Sequence, residues 1–368
     1  MPSVTNNRGS RLVQHWFGDG PGLPWPQRAG LWLLSQLYLG LASLRRAYLA
    51  IFSQPKAVPN LQTVAVGNLI VGGAGKTPCV IAIAQALTTA GLSCGLITRG
   101  YRSAAEHKAS RVIDPSELAQ TPAAMIGDEA WLMAWRTQLP IAVGKNRFEG
   151  ALALKRRYPK LQVAILDDGL QQSSLAADLK ILVLDERGFG NGHCLPLGPL
   201  REPIGDLRRF DAWIDNGYSS NARHQQVITQ LPDWSATMSQ SNAAWVPISA
   251  WSTSKDWLDL QSGLAQFQSK RILAVAGIAV PERFFQTLYA LGLTCDTLAL
   301  EDHDPHTIER VSAQWASENY DLILMTEKDA VKFFSQVPTP TMPIWALRRQ
   351  ATLDSEFLTR FVHGLQTA

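Results

Sequence analysis

The residues of this chain best suited to chemistry stand in one run, Gly72-Gly73-Ala74-Gly75-Lys76-Thr77. Glycines let backbone N–H groups converge on phosphate oxygens, and a helix that starts there adds the positive end of its dipole. In such a loop a lysine, here Lys76, reaches the β- and γ-phosphates, and a hydroxyl, here Thr77, ligates Mg²⁺. A second group fits the same chemistry. The apolar run Val163 to Leu166 leads directly into Asp167-Asp168-Gly169, and acids at the end of a strand hold Mg²⁺ and its waters beside a phosphate loop. The expected ligand is a nucleoside triphosphate. The loop departs from G-x-x-x-x-G-K-[ST], because Ile70 stands where the first glycine belongs. Val71 replaces the lysine that often opens a GGxGKT loop.

These residues need elements to position them. Val64 to Val66 reads as the strand entering the loop, and Ile81 to Leu87 as the helix leaving it. Further buried-type strands are expected at Cys94 to Thr98, Pro140 to Val143, Lys180 to Leu184 and Asp211 to Ile214. Helices are expected after Gly127-Asp128-Glu129, with Asp128 as N-cap, and from Phe148 to Tyr158. Ala104 to Pro122 reads as an exposed loop, and Gly217 to Ser254, rich in Ser, Gln and Asn, as a linker with some strand. A second α/β unit follows, with strands at Arg271 to Ala276, Thr294 to Leu300 and Leu322 to Met325, and helices from Pro281 and Thr307. Strands alternating with helices imply a doubly wound, mostly parallel α/β sheet of the P-loop NTPase type with a second, smaller α/β domain. The expected division is an N-terminal helix in 1–55, a nucleotide domain in 56–217, a hinge in 218–254 and a second domain in 255–368.

The chain has 368 residues, of which 46% are hydrophobic and 18% charged, the balance of a globular protein. A net charge of +3, with no basic run interleaved with aromatics, argues against nucleic acid as a partner. The excess is local: residues 1–60 hold six basic side chains and one acid, against 28 basic and 30 acidic in the remainder. Four scattered cysteines form no C-x-x-C spacing, which suits a reducing compartment and buried apolar filler. No cleavable signal peptide fits the polar start. Leu31 to Phe52 is unusual, since Gly30 to Leu44 gives 15 uncharged residues before Arg45 and Arg46. About 20 are needed to span a bilayer. A helix lying on a membrane surface, held by anionic lipid around the arginines, fits this composition; a helix packed on the domain is the competing reading.

Several motifs then coincide. VGNLIVGGAGKTP, TRGY, GDE, LDDGLQ, GFGNG, LGPLRE, AGIAVPERFF, EDH and MTEKDAVK occur in the order seen in the tetraacyldisaccharide 4′-kinases. The chain resembles that family from the apolar N-terminal helix through Lys332. The resemblance implies transfer of phosphate from ATP, with Mg²⁺, to the 4′-hydroxyl of an acylated disaccharide 1-phosphate, the precursor of lipid A. It implies a monomer at the cytoplasmic face of a bacterial inner membrane. It also places the base at the acid of GDE, Asp128, paired with the histidine of the DH motif, His303, with domain closure assembling the site. Glu129, Arg147, Arg201 and Glu202 match positions that line the family's cleft, and the arginines suit a phosphate. A reading from another class is a nucleotide-driven switch ATPase acting on a protein partner. Val71 and the long second α/β segment stand against it.

Overall fold

A computed structural model describes residues 7–18, 22–52, 54–101, 103–106, 110–205, 207–218, 227, 229–250, 256–278, 280–302, 304–334 and 342–367. The first elements are α1 (Asn7–Phe17), α2 (Trp25–Phe52), β1 (Gln62–Gly67), α3 (Lys76–Thr89), β2 (Cys94–Thr98) and β3 (Arg111–Ile113). Next come α4 (Ala123–Ile126), α5 (Asp128–Thr137), β4 (Ile141–Val143), α6 (Arg147–Arg157), β5 (Val163–Asp167), β6 (Leu179–Asp185), β7 (Ala212–Asn216) and β8 (Ser235–Pro247). The rest are β9 (Leu258–Asp259), α7 (Leu260–Phe267), β10 (Ile272–Ala276), α8 (Pro281–Ala290), β11 (Cys295–Ala299) and α9 (Thr307–Ser317). β12 (Leu322–Thr326), α10 (Glu327–Phe334), β13 (Ile344–Leu353) and α11 (Ser355–Thr367) close the chain. Contacts divide it into two units that interleave in sequence: residues 1–79, 163–238 and 353–368 form the first, and 80–162 with 239–352 the second.

The first unit is built on parallel strands in the order β8-β7-β6-β1-β5. Val64, Val66, Ile165, Leu182 and Ile214 are fully buried, as strands covered on both faces require. Register decides what meets at the carboxyl edge. Val66 pairs with Asp167, Gly67 with Leu182, and Asp185 with Asn216, so β1 and β5 end side by side while β6 and β7 run on to Asp185 and Asn216, all at the same carboxyl edge. Loops beyond the carboxyl ends of parallel strands are where such sheets bind ligands.

In the second unit β2 pairs in parallel with β4 and β3 lies antiparallel on β4, while β11-β10-β12-β13 are parallel. Trp245 and Phe267 meet edge to face at 5.1 Å in its core, and α7 approaches through Gly263, where an added Cβ would lie 2.0 Å from Trp245 Cδ1. α5 packs on α10. Their contact carries a buried ion pair: Arg136 Nη1 donates to both Glu327 carboxylate oxygens, at 2.9 and 2.8 Å, and to Arg349 O at 3.0 Å. Burial pushes the Glu327 carboxyl above its ordinary range, and the Arg136 charge opposes that rise.

Several expectations need correction. Ala104 to Pro122 is not merely loop, for it holds β3 and a 3₁₀ turn, Pro115–Gln120, closed by an Asp114/Glu117 capping box. The supposed linker contains β8, a 13-residue strand. Its S-A-T-M-S stretch alternates, with Ala236 and Met238 buried and Ser235, Thr237 and Ser239 outward, which is the period of a half-buried strand. Asp128 is not an N-cap. Gly127 (φ 96°) occupies that position and α5 starts at Asp128 without a side-chain cap. Three of the four cysteines are buried, and burial pushes the Cys94 thiol up to about 12, consistent with apolar filler. Among the described residues no helix is long and apolar enough to cross a membrane.

Removing one partner of a buried pair strands the other charge. Glu327→Ala should therefore lower unfolding free energy by about 3–5 kcal/mol, read from the urea midpoint. Glu327→Leu combined with Arg136→Met should recover most of that loss.

Candidate active site

The glycine-rich run joins β1 to α3 in the first unit, and α3 begins at Lys76. Gly72 and Gly75 have φ of +91° and +79°, a region that disfavours side chains. At Gly75 an added Cβ would lie 2.2 Å from Asn216 Nδ2. The loop's carbonyls are held from outside: Arg187 Nη2 donates to Gly73 O at 2.7 Å and Asn216 Nδ2 to Ala74 O at 3.0 Å. Arg187 is itself fixed by Asp185 Oδ2, at 2.9 Å from Nε and 2.7 Å from Nη2. Two of the loop's carbonyls are thus tied back from outside, which fixes its backbone in one conformation. Val71 stands outside this set, its N–H donating to Pro199 O.

Lys76 Nζ donates to Asn68 Oδ1 at 3.1 Å and lies 3.6 Å from Asp168 Oδ1. Arg201 Nη1 donates to both Asp168 oxygens, at 3.0 and 2.8 Å. Asp168 sits at φ +52°, and the N–H of Gly169 returns to Val66 O at 3.0 Å. The turn after β5 is thus clamped to the end of β1 with its aspartate facing the loop lysine. Asp167 precedes it, 5% exposed. Gln171 Nε2 bridges Asn68 O at 2.9 Å and Glu202 Oε1 at 3.1 Å, and Glu202 pairs with Arg209 at 3.2 Å. The Tyr38 hydroxyl of α2 donates to the Arg201 carbonyl. Gly72 to Gly75, Lys76, Thr77, Asp167, Asp168, Arg201 and Glu202 are therefore brought to one edge of one sheet. Thr77, Asp167 and Asp168 bring one hydroxyl and two carboxylates to this edge, oxygen donors of the kind that hard divalent cations take. Among the described residues no group of three or more His, Cys, Asp or Glu side chains could hold a metal ion.

The second unit gathers another set of charges. Lys328 of α10 lies 3.4 Å from Glu129 and donates to Asp302 at 2.8 Å. Lys332, one turn on, lies 4.0 Å from Asp128 Oδ2 and 3.8 Å from Asp329, and donates to Thr307 Oγ1 at 3.0 Å and Asp304 O at 3.4 Å. Burial opposes a charge on Lys328, but Glu129 and Asp302 outweigh it and raise its pKa. Asp329 is fully buried, and that burial lifts its carboxyl above the ordinary range. The acid pair of GDE and the residues on either side of His303 are thus tied to the same two lysines; His303 itself lies outside the described residues. Arg147 is also in this unit, 4% exposed, with Nη1 donating to Gly144 O at 3.0 Å and Lys145 O at 3.2 Å. It holds the turn that opens α6.

Motif reading passed over Asn68, Gln171, Arg187 and Asn216 in the first unit and Lys328, Lys332, Arg136 and Glu327 in the second. Lys328 and Lys332 had a signal, since they sit four apart on one helix face within MTEKDAVK. Asn68, Gln171 and Glu327 also stand within VGNLIVGGAGKTP, LDDGLQ and MTEKDAVK, whereas Arg187, Asn216 and Arg136 had no signal before the strand register was known.

Residues 27–366 match the model of a family described as Tetraacyldisaccharide-1-P 4′-kinase. The chain is 36% identical over 358 residues to the Tetraacyldisaccharide 4′-kinase of Dechloromonas aromatica, covering 96% of this chain and 97% of that one. It is 38% identical over 348 residues to the enzyme of the same name from Herminiimonas arsenicoxydans, covering 93% and 94%. The fold is similar to that of a crystal structure of LpxK from Aquifex aeolicus in complex with ATP, with a TM-score of 0.71 at 23% identity over 92% of this chain and 99% of the other.

The bracing of the loop is testable without a ligand. Arg187→Ala should speed hydrogen exchange at the amides of residues 72–75 by about tenfold, the effect of losing roughly 1.4 kcal/mol of local stability. Exchange in β1 should stay unchanged. Equal protection of the loop in the variant would show that Arg187 does not hold it.

Proposed function

The chain belongs to the tetraacyldisaccharide-1-P 4′-kinase family, and from that premise we propose the roles its residues take in phosphoryl transfer. The protein is a kinase of lipid A biosynthesis that uses ATP to phosphorylate the 4′-hydroxyl of a tetraacyldisaccharide 1-phosphate. A nucleotide-switch ATPase is not favoured, because the match runs over nearly the whole chain.

The observation that carries the assignment of roles is the register of β1 on β5, which sets Lys76 3.6 Å from Asp168 at the mouth of the glycine loop. Phosphoryl transfer needs little covalent help from the protein, and positioning and charge do most of the work. The amides of Gly72, Gly73, Ala74 and Gly75 and the start of α3 cradle the phosphates. Lys76 leaves Asp168 for the β- and γ-phosphate oxygens and offsets their growing charge. Thr77, Asp167 and Asp168 would hold Mg²⁺, which would neutralise phosphate charge. Arg201, already beside Asp168 and exposed enough to turn, meets a phosphate, and Glu202 with Gln171 keeps its segment in place. Arg147 acts through the turn it holds.

Asp128 takes the proton from the 4′-hydroxyl as that oxygen bonds to the γ-phosphorus and the bond to the bridging β,γ-oxygen breaks, releasing ADP. His303 orients and tunes Asp128. The reading is supported by Lys328 and Lys332, which engage Asp302 and Asp304 on either side of it as well as Glu129 and Asp128. The exposed apolar side chains of α2 seat a monomeric enzyme on the cytoplasmic face of the inner membrane, where its acylated substrate resides.

The test is transfer of labelled γ-phosphate from ATP to a tetraacylated disaccharide 1-phosphate in detergent micelles, with and without Mg²⁺. Labelled lipid should form only with Mg²⁺. Lys76→Ala and Asp128→Asn should each reduce turnover by about two to three orders of magnitude. An Asp128→Asn rate near wild type would remove Asp128 as the base, and ATP hydrolysis without lipid labelling would overturn the substrate.

A further inference from the structure

α2 presents three different rows at the 3.6-residue period. Ser35, Tyr38 and Leu39 face the first unit; the Ser35 hydroxyl is 2% exposed and donates to Cys194 O at 3.0 Å. Leu33, Leu37, Leu41, Leu44, Tyr48 and Ile51 make a continuous exposed apolar row. The third row occupies only the helix's first two turns and reads Trp25, Arg28, Ala29 and Trp32. It borders a cavity of about 400 Å³ whose other walls include His15 from the last turn of α1, and His193 and Leu197 from the glycine- and proline-rich loop after β6.

This cavity is built rather than incidental. Asn191 Nδ2 donates to Leu197 O at 3.0 Å and His15 O at 3.3 Å, while its Oδ1 accepts from the His193 N–H at 3.1 Å. Trp16 Nε1 donates to Pro196 O at 3.1 Å. These bonds staple α1 to the loop and hold both imidazoles at one opening. His15 Nε2 is buried and has no hydrogen-bond partner among the described residues. Burial, then the nearby Arg28 and His193, keep the His15 imidazole below its ordinary pKa. No carboxylate lines the cavity, and among the described residues Arg28 forms no ion pair. A guanidinium and two imidazoles without an acid suit a phosphate group. The rim is indole, with Trp25 79% and Trp32 50% exposed, and indoles favour the level where headgroups meet acyl chains.

We propose that this cavity binds the phosphodiester headgroup of an anionic glycerophospholipid, with Arg28 and His193 on the phosphate, His15 in the wall behind them, and Trp25 and Trp32 along the glycerol and upper acyl chains. The site lies at the end of the apolar row and fixes how deep α2 sits; it rests on the membrane reading of α2 given above. A free anion does not account for the indole rim.

The test is co-sedimentation of the full-length protein at pH 8 with vesicles of phosphatidylcholine alone or with about 30% phosphatidylglycerol. Wild type should partition several-fold more strongly onto the anionic vesicles. Arg28→Lys keeps the charge and loses the planar fork, and His193→Ala removes the imidazole from the opening. Each should remove about three- to tenfold of the anionic preference and leave phosphatidylcholine binding unchanged. Arg46→Lys, at the exposed far end of α2, should have no effect. Wild-type behaviour in both Arg28→Lys and His193→Ala would mean bulk charge alone sets the preference and would overturn the site. Loss of the preference when inorganic phosphate replaces chloride at equal ionic strength would mark a free-anion site and overturn the lipid. Failure of wild type to bind either vesicle would overturn the membrane reading together with this one.

Discussion

The charge chain Lys76–Asp168–Arg201 is what the first unit's edge depends on. One carboxylate holds two cations, at 3.6 and 2.8 Å, and each comes from a different segment: α3's first residue, the turn after β5 and the loop beyond β6. None of these contacts would survive a slip in the parallel register, because a one-residue shift turns every side chain to the other face. The chain also solves a problem of the ligand-free protein. A phosphate loop concentrates positive potential, and without an anion Lys76 would repel the guanidiniums of Arg187 and Arg201. Asp168 and Asp185 neutralise that field. Phosphate oxygens then replace a carboxylate rather than fill an uncompensated hole, so much of the binding energy goes into exchange of partners.

The second unit balances charge the other way. Asp128, Glu129, Asp302 and Asp329 converge on Lys328 and Lys332. Four acids share two lysines, so these lysines are the hub that holds the acids of α5 beside Asp302 in the segment after β11. The Arg136–Glu327 pair keeps α5 on α10 and so keeps these groups in range. It is buried where Lys328 is partly open, and its role is to position rather than to react. Salt should weaken the exposed members of this network more than the buried pair.

Much of the first unit's edge was legible because its chemistry is local. Gly72 to Thr77 and Asp167-Asp168 each sit within a few residues of a buried strand, and strand, loop and helix appear in that order. What sequence reading missed is non-local. Arg187, two residues past the end of β6, and Asn216, the last residue of β7, act on the loop from outside it, and neither residue type marks itself. Asp128 was read as a cap because Asp before a helix usually is one; Gly127 takes that place through a backbone angle that no pattern reveals. α1 went unseen because its turns are mostly polar, and β8 because Ser and Gln on its outward face hide a clean alternation. α11 and β13 follow the last recognisable motif, where periodicity alone had to speak.

α2 inverts the usual arrangement, and that inversion ties the membrane reading to the site. A surface helix normally buries its apolar stripe and exposes its polar one. Here Ser35 and Tyr38 point inward to backbone carbonyls, while leucines point outward. Burying hydroxyls is tolerable only when they are bonded, and Tyr38 bonds the carbonyl of Arg201, the residue that grips Asp168. The helix therefore holds, on its inward face, the segment that places a guanidinium on Asp168. Leucines exposed to water carry an unfavourable solvation cost of about 25 cal/mol per Å², and a bilayer relieves it without disturbing either inward bond. The polar face is thus fixed by the protein, and the apolar face is left open for the lipid surface on which the proposed function places this enzyme.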